Sequence, residues 1–110
     1  MTGILAPHAA FDVDAARERH EELTAELLER MRSKLVPLGR LALNAGPEER
    51  RRLFDKQAGL QEALDFALGQ EGGWVGIFWA LTKVADSIPQ HLREGWGLAI
   101  SYAAEGFRLS

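Results

Sequence analysis

The feature that most constrains this chain is the helical spacing of its apolar residues between two helix breakers. Between Pro47 and the Gly72-Gly73 pair, apolar side chains recur at intervals typical of one helix face. They are Leu53, Leu60, Ala63, Leu64, Ala67 and Leu68. Such spacing indicates an α-helix, because a half-buried strand needs alternation with a period of two. No useful length of the chain alternates in that way. The sequence therefore predicts an all-α fold.

The breakers divide the chain into a predicted compact bundle of four to five helices. A long N-terminal helix starts near Asp12 or Asp14, either of which can cap it. Pro37 predicts a kink in this helix, since a proline pushes the preceding residue, Val36, out of the α region. A short limb over residues 38–43 continues it. The second helix is predicted over Pro47–Leu68, the third over about residues 74–86, and the fourth from about residue 90 onward.

Length and composition fit a single domain. The chain has 110 residues, of which 46% are apolar and 26% charged, the usual proportions of a soluble globular protein. We expect an N-terminal arm over residues 1–11 and one helical domain over residues 12–110. The first ten residues contain no Lys or Arg and no long apolar run, and the chain has no cysteine, so a cytoplasmic location is predicted.

No membrane association is predicted. The longest uncharged stretch inside the chain covers residues 72–82. A helix that spans a bilayer needs about 20 apolar residues, so this segment is too short. It is predicted to be buried or to lie at an interface.

The residues that usually carry catalysis do not form a recognisable pattern. His8, His20 and His91 are not paired at helical spacing, and no serine lies in a Gly-x-Ser-x-Gly turn. No glycine-rich phosphate loop is present, and there is no cysteine to serve as nucleophile or thiolate ligand. The prediction is a non-enzymatic protein with no metal and no cofactor.

The aromatic residues of the last two helices suggest an interaction surface. The third predicted helix is apolar on nearly all sides and must be covered on more than one of them. One interpretation is self-association through the last two helices, with a dimer favoured, or binding of another protein. The predicted interface residues are Trp74, Phe78, Trp79, Trp96 and Phe107. The alternative is that the third helix lies at the centre of the bundle, covered by its own chain.

Clustered basic residues suggest a second hypothesis, binding of nucleic acid or another phosphate-bearing ligand. Two basic groups flank the predicted turn between the first two helices, and an antiparallel hairpin would bring them to one end of the bundle. They are Arg30, Arg32, Lys34 and Arg40, then Arg50, Arg51 and Arg52. No aromatic residue is interleaved for base stacking, so a solvated basic surface is favoured over this hypothesis.

A third hypothesis is an apolar small-ligand pocket between the last two helices. Ligand pockets are mostly apolar with a few polar groups, which Ser101 or Tyr102 would supply. The simpler alternative is an ordinary packed core.

Overall fold

Asp12 caps the first helix of the protein, in a computed structural model that describes residues 12–110. Its carboxylate accepts a hydrogen bond of 3.1 Å from the backbone N–H of Ala15. Of the described residues 88% are helical and none forms a strand, so the predicted compact all-α bundle is confirmed. The predicted N-terminal arm, residues 1–11, lies outside the described residues.

Five α-helices follow one another along the described chain. They are α1 (Val13–Ser33), α2 (Leu35–Leu43), α3 (Pro47–Leu68), α4 (Gly73–Val84) and α5 (Arg93–Leu109). Two short 3₁₀ turns, Ala85–Ser87 and Gln90–Leu92, join α4 to α5. Because α1 and α2 form one long N-terminal helix with a bend of only 14°, the bundle has four main helical segments.

The interruption of the long N-terminal helix lies at Lys34, three residues before the proline that predicts it. Pro37 has no N–H with which to bond the carbonyl of Ser33, and its ring would crowd that carbonyl in a continuous helix. The chain adapts by a tighter turn, in which the N–H of Lys34 bonds the carbonyl of Met31. Val36 remains helical, because Pro37 falls in the first turn of α2, where proline is tolerated.

The start of the last helix differs from the sequence pattern. Ser87-Ile88-Pro89-Gln90 fits a capping box, but α5 begins only at Arg93 and has no side-chain cap. Instead the guanidinium of Arg93 donates to the backbone carbonyls of Ile88 and Asp86. These bonds hold the connection folded back against the start of α5.

Helix α5 occupies the centre of the bundle, where it packs against α1, α3 and α4. Small residues permit this close packing, since a helix without bulky side chains allows its neighbours to approach. A Cβ added at Gly95 would collide with the backbone of Lys56 and Leu60 in α3. Ala99 and Ala103 continue the same face and are fully buried.

The hydrophobic core lies between these helices. Its buried members are Leu27, Met31, Leu38, Ala42, Leu53, Leu60, Ala63, Leu64, Ala67, Trp74, Ile77, Leu81, Trp96, Ala99 and Ala103. Every α-helix contributes to it, so the described residues share a single core. No helix of the described chain is both long and apolar enough to cross a membrane.

Candidate interaction surface

Two of the five predicted interface residues are covered by their own chain. Trp74 is 4% exposed and Trp96 is 3% exposed. The indole N–H of Trp96 donates to the carboxylate of Glu62 at 3.1 Å, which pairs its one polar atom. In this structure Trp74 and Trp96 belong to the core and are not surface residues.

Trp74 is buried because α5 leaves room for it. Gly106 lies directly beneath the indole, where a Cβ would overlap the ring. From α1, the hydroxyl of Thr24 accepts a hydrogen bond of 2.9 Å from the backbone N–H of Trp74. The indole N–H of Trp74 is buried without a hydrogen-bond partner. The ring is therefore kept in the core by its apolar contacts and by the hydrogen bond from the backbone N–H of Trp74 to Thr24.

The other three predicted residues, Phe78, Trp79 and Phe107, form a connected group of rings on α4 and α5. We call these three residues the aromatic surface. The ring centroids of Phe78 and Trp79 are 5.1 Å apart, and those of Phe78 and Phe107 are 5.2 Å apart, both edge to face. Trp79 is 56% exposed, Phe107 is 51% exposed and Phe78 is half-buried. Such edge-to-face contacts hold the rings in place, so the exposed faces form one preorganised patch.

Helical geometry explains why α4 divides its aromatics between core and surface. Trp74, Ile77 and Leu81 follow spacings of three and four, so they share the buried face. Trp79 is five residues beyond Trp74 and points well away from that face. The third predicted helix is therefore not the central one, since α5 occupies the centre and α4 exposes Trp79.

Carboxylates of the same chain pair with several residues of the predicted basic cluster. Arg30 bonds Glu26 at 3.0 Å and Glu105 at 2.7 Å, and Arg32 bonds Glu29 at 3.1 Å. These ion pairs neutralise the two arginines at the end of α1. They leave less positive charge for a phosphate ligand than the sequence suggests.

The second basic group is also partly engaged within the chain. Arg52 bonds Glu49 at 2.9 Å and Glu94 at 2.6 Å. Hydrogen bonding to Glu49, together with the charge of Glu94, raises the pKa of Arg52 above that of a free guanidinium. Arg50 donates to the backbone carbonyls of Ala42 and Ala45 and so caps the end of α2.

The remaining basic residues, Lys34, Arg40 and Arg51, have no ion pair within the described part of the chain. The two predicted basic groups also do not converge on one point. Their α5 partners, Glu94 and Glu105, are eleven residues apart in sequence, which is about 16 Å along a helix. The structure therefore keeps Arg30 and Arg52 apart along α5.

Two grooves of the described structure lie beside α1, and a third, of about 700 Å³, lies at the start of α3 beside Arg52. One, of about 470 Å³, runs between the N-terminal half of α1 and the end of α5, with Trp74 and Leu109 in its wall. Another, of about 460 Å³, lies between α1 and the glycine turn before α4. Neither is lined by Ser101 or Tyr102, the polar residues of the predicted ligand pocket. The hydroxyl of Ser101 instead donates to the carbonyl of Leu98.

A second apolar surface, which was not predicted from the sequence, lies on α2. Val36, Leu41 and Leu43 are all more exposed than Trp79. The available signal was the composition of residues 35–43, in which seven of nine positions are aliphatic or proline. One face of so short a helix is enough to meet the core, so the other apolar side chains remain at the surface.

Comparisons with known proteins identify no relative of this chain: no family model, no curated protein and no solved structure matches it. Within residues 12–110, no group of three or more His, Asp or Glu side chains is arranged to hold a metal ion.

Proposed function

We propose that this protein is a small non-enzymatic interaction protein that binds another protein through the aromatic surface, and that two copies associate there. The observation that carries the proposal is the exposure of Trp79 within a patch held together by Phe78 and Phe107. Tryptophan is the residue type most enriched among interface residues that dominate binding energy. The absence of cysteine supports a cytoplasmic location as part of this proposal.

Removal of the exposed Trp79 side chain from water favours binding at the aromatic surface. An exposed indole keeps much of its apolar area in water, and each Å² removed from water contributes about 25 cal/mol. Phe78 packs edge to face on the Trp79 ring and is itself packed on Phe107. The Trp79 ring is therefore restricted before any partner arrives, which reduces the entropy lost on binding. A second copy presents an identical patch, and a two-fold axis brings such patches together.

Sedimentation equilibrium of the full chain tests the proposal. In about 0.3 M salt, which screens exposed ion pairs, we expect a monomer–dimer equilibrium. We expect Trp79→Ala to weaken it by about tenfold or more, since loss of a central aromatic commonly costs over 1 kcal/mol. Leu41→Ala is the matched control, because it removes an exposed apolar side chain from α2, which does not contact α4 or α5. A chain that stays monomeric at every concentration contradicts the self-association.

Nucleic-acid binding is the weaker alternative. It would rest on Lys34, Arg40 and Arg51, whose side chains have no ion pair in the described part of the chain and, unlike that of Arg50, do not bond backbone carbonyls. It predicts binding that weakens steeply with salt and is reduced by Arg51→Glu. Fluorescence anisotropy with labelled DNA and RNA tests it, and no salt-dependent binding removes it.

A further inference from the structure

The outer face of the long N-terminal helix carries a continuous exposed ridge. Its residues follow one another at spacings of three and four, which keeps them on one side of a helix. They are Glu18, Glu22, Ala25, Glu29, Arg32, Val36, Arg40 and Leu43, and all eight are exposed. The bend of 14° is small enough for the ridge to run from α1 into α2 without a change of face. We call these eight residues the ridge.

Charge is strongly segregated along this helix. Residues 12–29 contain seven acidic and two basic residues, whereas residues 30–43 contain four basic residues and no acidic one. The helix is thus negative in its first half and positive in its second. On the ridge, Glu18, Glu22 and Arg40 have no ion pair within residues 12–110. These charges remain available to a partner.

The segregation defines the partner that fits. A partner helix with the opposite order of charge along its length would place its basic half against the acidic half of this helix, and its acidic half against the basic half. A second copy of this same helix, turned antiparallel, has that order. We propose that the ridge is an interface at which two copies of the chain pair antiparallel, α1 against α2, about a two-fold axis.

The register of the pairing follows from the sequence. With the axis between Arg30 and Met31, Ala25 of one copy faces Val36 of the other. In the same register Glu22 lies beside Arg40, and Glu29 faces Arg32. The two-fold axis repeats every contact, so each copy contributes both its acidic and its basic half. The apolar pair of Ala25 and Val36 lies at the centre of each half of the contact. Pairs of opposite charge lie on either side of it.

The strength of this contact depends on salt. Exposed ion pairs contribute little individually and are screened as ionic strength rises. The contact of the aromatic surface is apolar and lacks this dependence. The two interfaces use different residues on different helices, so each can be removed without the other.

The test uses the full chain with Trp79→Ala throughout, so that the aromatic surface does not contribute. Sedimentation equilibrium is run at about 20 mM and about 500 mM salt. We expect dimers at low salt and an association at least tenfold weaker at high salt. A chain that is monomeric in both conditions overturns the ridge interface and leaves the aromatic surface untouched. If the unsubstituted chain associates while the Trp79→Ala chain is monomeric in both conditions, only the aromatic surface is supported.

Charge exchange provides the decisive variants. We expect Glu22→Lys with Glu29→Lys, and separately Arg32→Glu with Arg40→Glu, each to weaken low-salt association at least tenfold. Mixing the two variants, or placing all four changes in one chain, restores it, because opposite charges again face each other. Asp65→Lys with Asp86→Lys is the control for net charge, since both residues are exposed and lie on other segments. The proposal is overturned if neither the mixture nor the chain with all four changes associates again, while circular dichroism shows that the chains are folded.

Discussion

At the scale of single residues, two glycines of α5 show how strongly local surroundings decide the effect of one methyl group. Gly95 faces the backbone of α3, where a Cβ would collide with Lys56 and Leu60, whereas a Cβ at Gly97 would have nothing within 4 Å. The sequence places both glycines in the same helix and gives each the same helix propensity. Only the packing distinguishes them.

We therefore expect opposite results from the same substitution. Gly95→Ala should lower the free energy of unfolding by about 2 kcal/mol or more, because backbone atoms cannot move aside as a flexible side chain can. Gly97→Ala should raise it by about 0.5–1 kcal/mol through better helix propensity. Urea unfolding followed by circular dichroism measures both. Equal effects of the two substitutions would show that α3 and α5 do not approach each other at Gly95.

At the scale of elements, α4 depends on a neighbouring helix for its N-terminal cap. Gly72 and Gly73 both adopt positive φ, so the turn before α4 carries no capping side chain of its own. The hydroxyl of Thr24 on α1 takes that role by accepting the N–H of Trp74. It also donates to the carbonyl of His20, so one hydroxyl links α1 to the start of α4.

Thr24→Val is expected to lower the free energy of unfolding by about 1 kcal/mol, because the N–H of Trp74 then loses its partner while the side-chain volume is nearly kept. Thr24→Ser retains the hydroxyl and should lose less than half as much. Thermal or urea unfolding compares the three chains. If Thr24→Ser costs more than Thr24→Val, the methyl group and not the cap holds α4 in place.

The helices that local signals define were predicted well. The bounds Pro47–Leu68 of α3 match the prediction, because Pro47 opens the helix and periodic apolar residues continue to its end. The start of α5 was predicted about three residues too early, since the contacts of Arg93 with Ile88 and Asp86 arise only once the chain has folded back. The break at Lys34 was displaced by three residues, because Pro37 acts on the carbonyl one turn before it.

The candidate site was predicted only in part for a related reason. Spacing within α4 separates Trp79 from the Trp74 face, and the structure confirms that separation. Spacing says nothing about which neighbour covers a face. Trp74 is buried because Gly106 on α5 makes room for its indole. Trp96 is buried because α3 packs closely against α5 at Gly95. Both are contacts between residues that lie far apart in the sequence.

At the scale of the whole molecule, the described helices share one core and no pair of them forms an independent unit. Helix α5 contacts α1, α3 and α4, and α2 packs chiefly on α3. Trp74 and Trp96 lie inside this core on different helices, whereas Trp79 lies at its surface. Loss of any one helix would expose core residues of its neighbours, so we expect the chain to unfold in a single cooperative step.

Trp79→Phe makes this expectation measurable, because the remaining tryptophan fluorescence then comes only from Trp74 and Trp96. In dilute protein, the urea midpoints from fluorescence and from far-ultraviolet circular dichroism should coincide within experimental error. Fluorescence reports the core around α4 and α5, while circular dichroism reports every helix, including α2. An earlier fall in circular dichroism would show that α2 separates from α3 before the core opens. That result would make α2 the least stable part of the bundle, even though its Leu38 and Ala42 are buried in the same core.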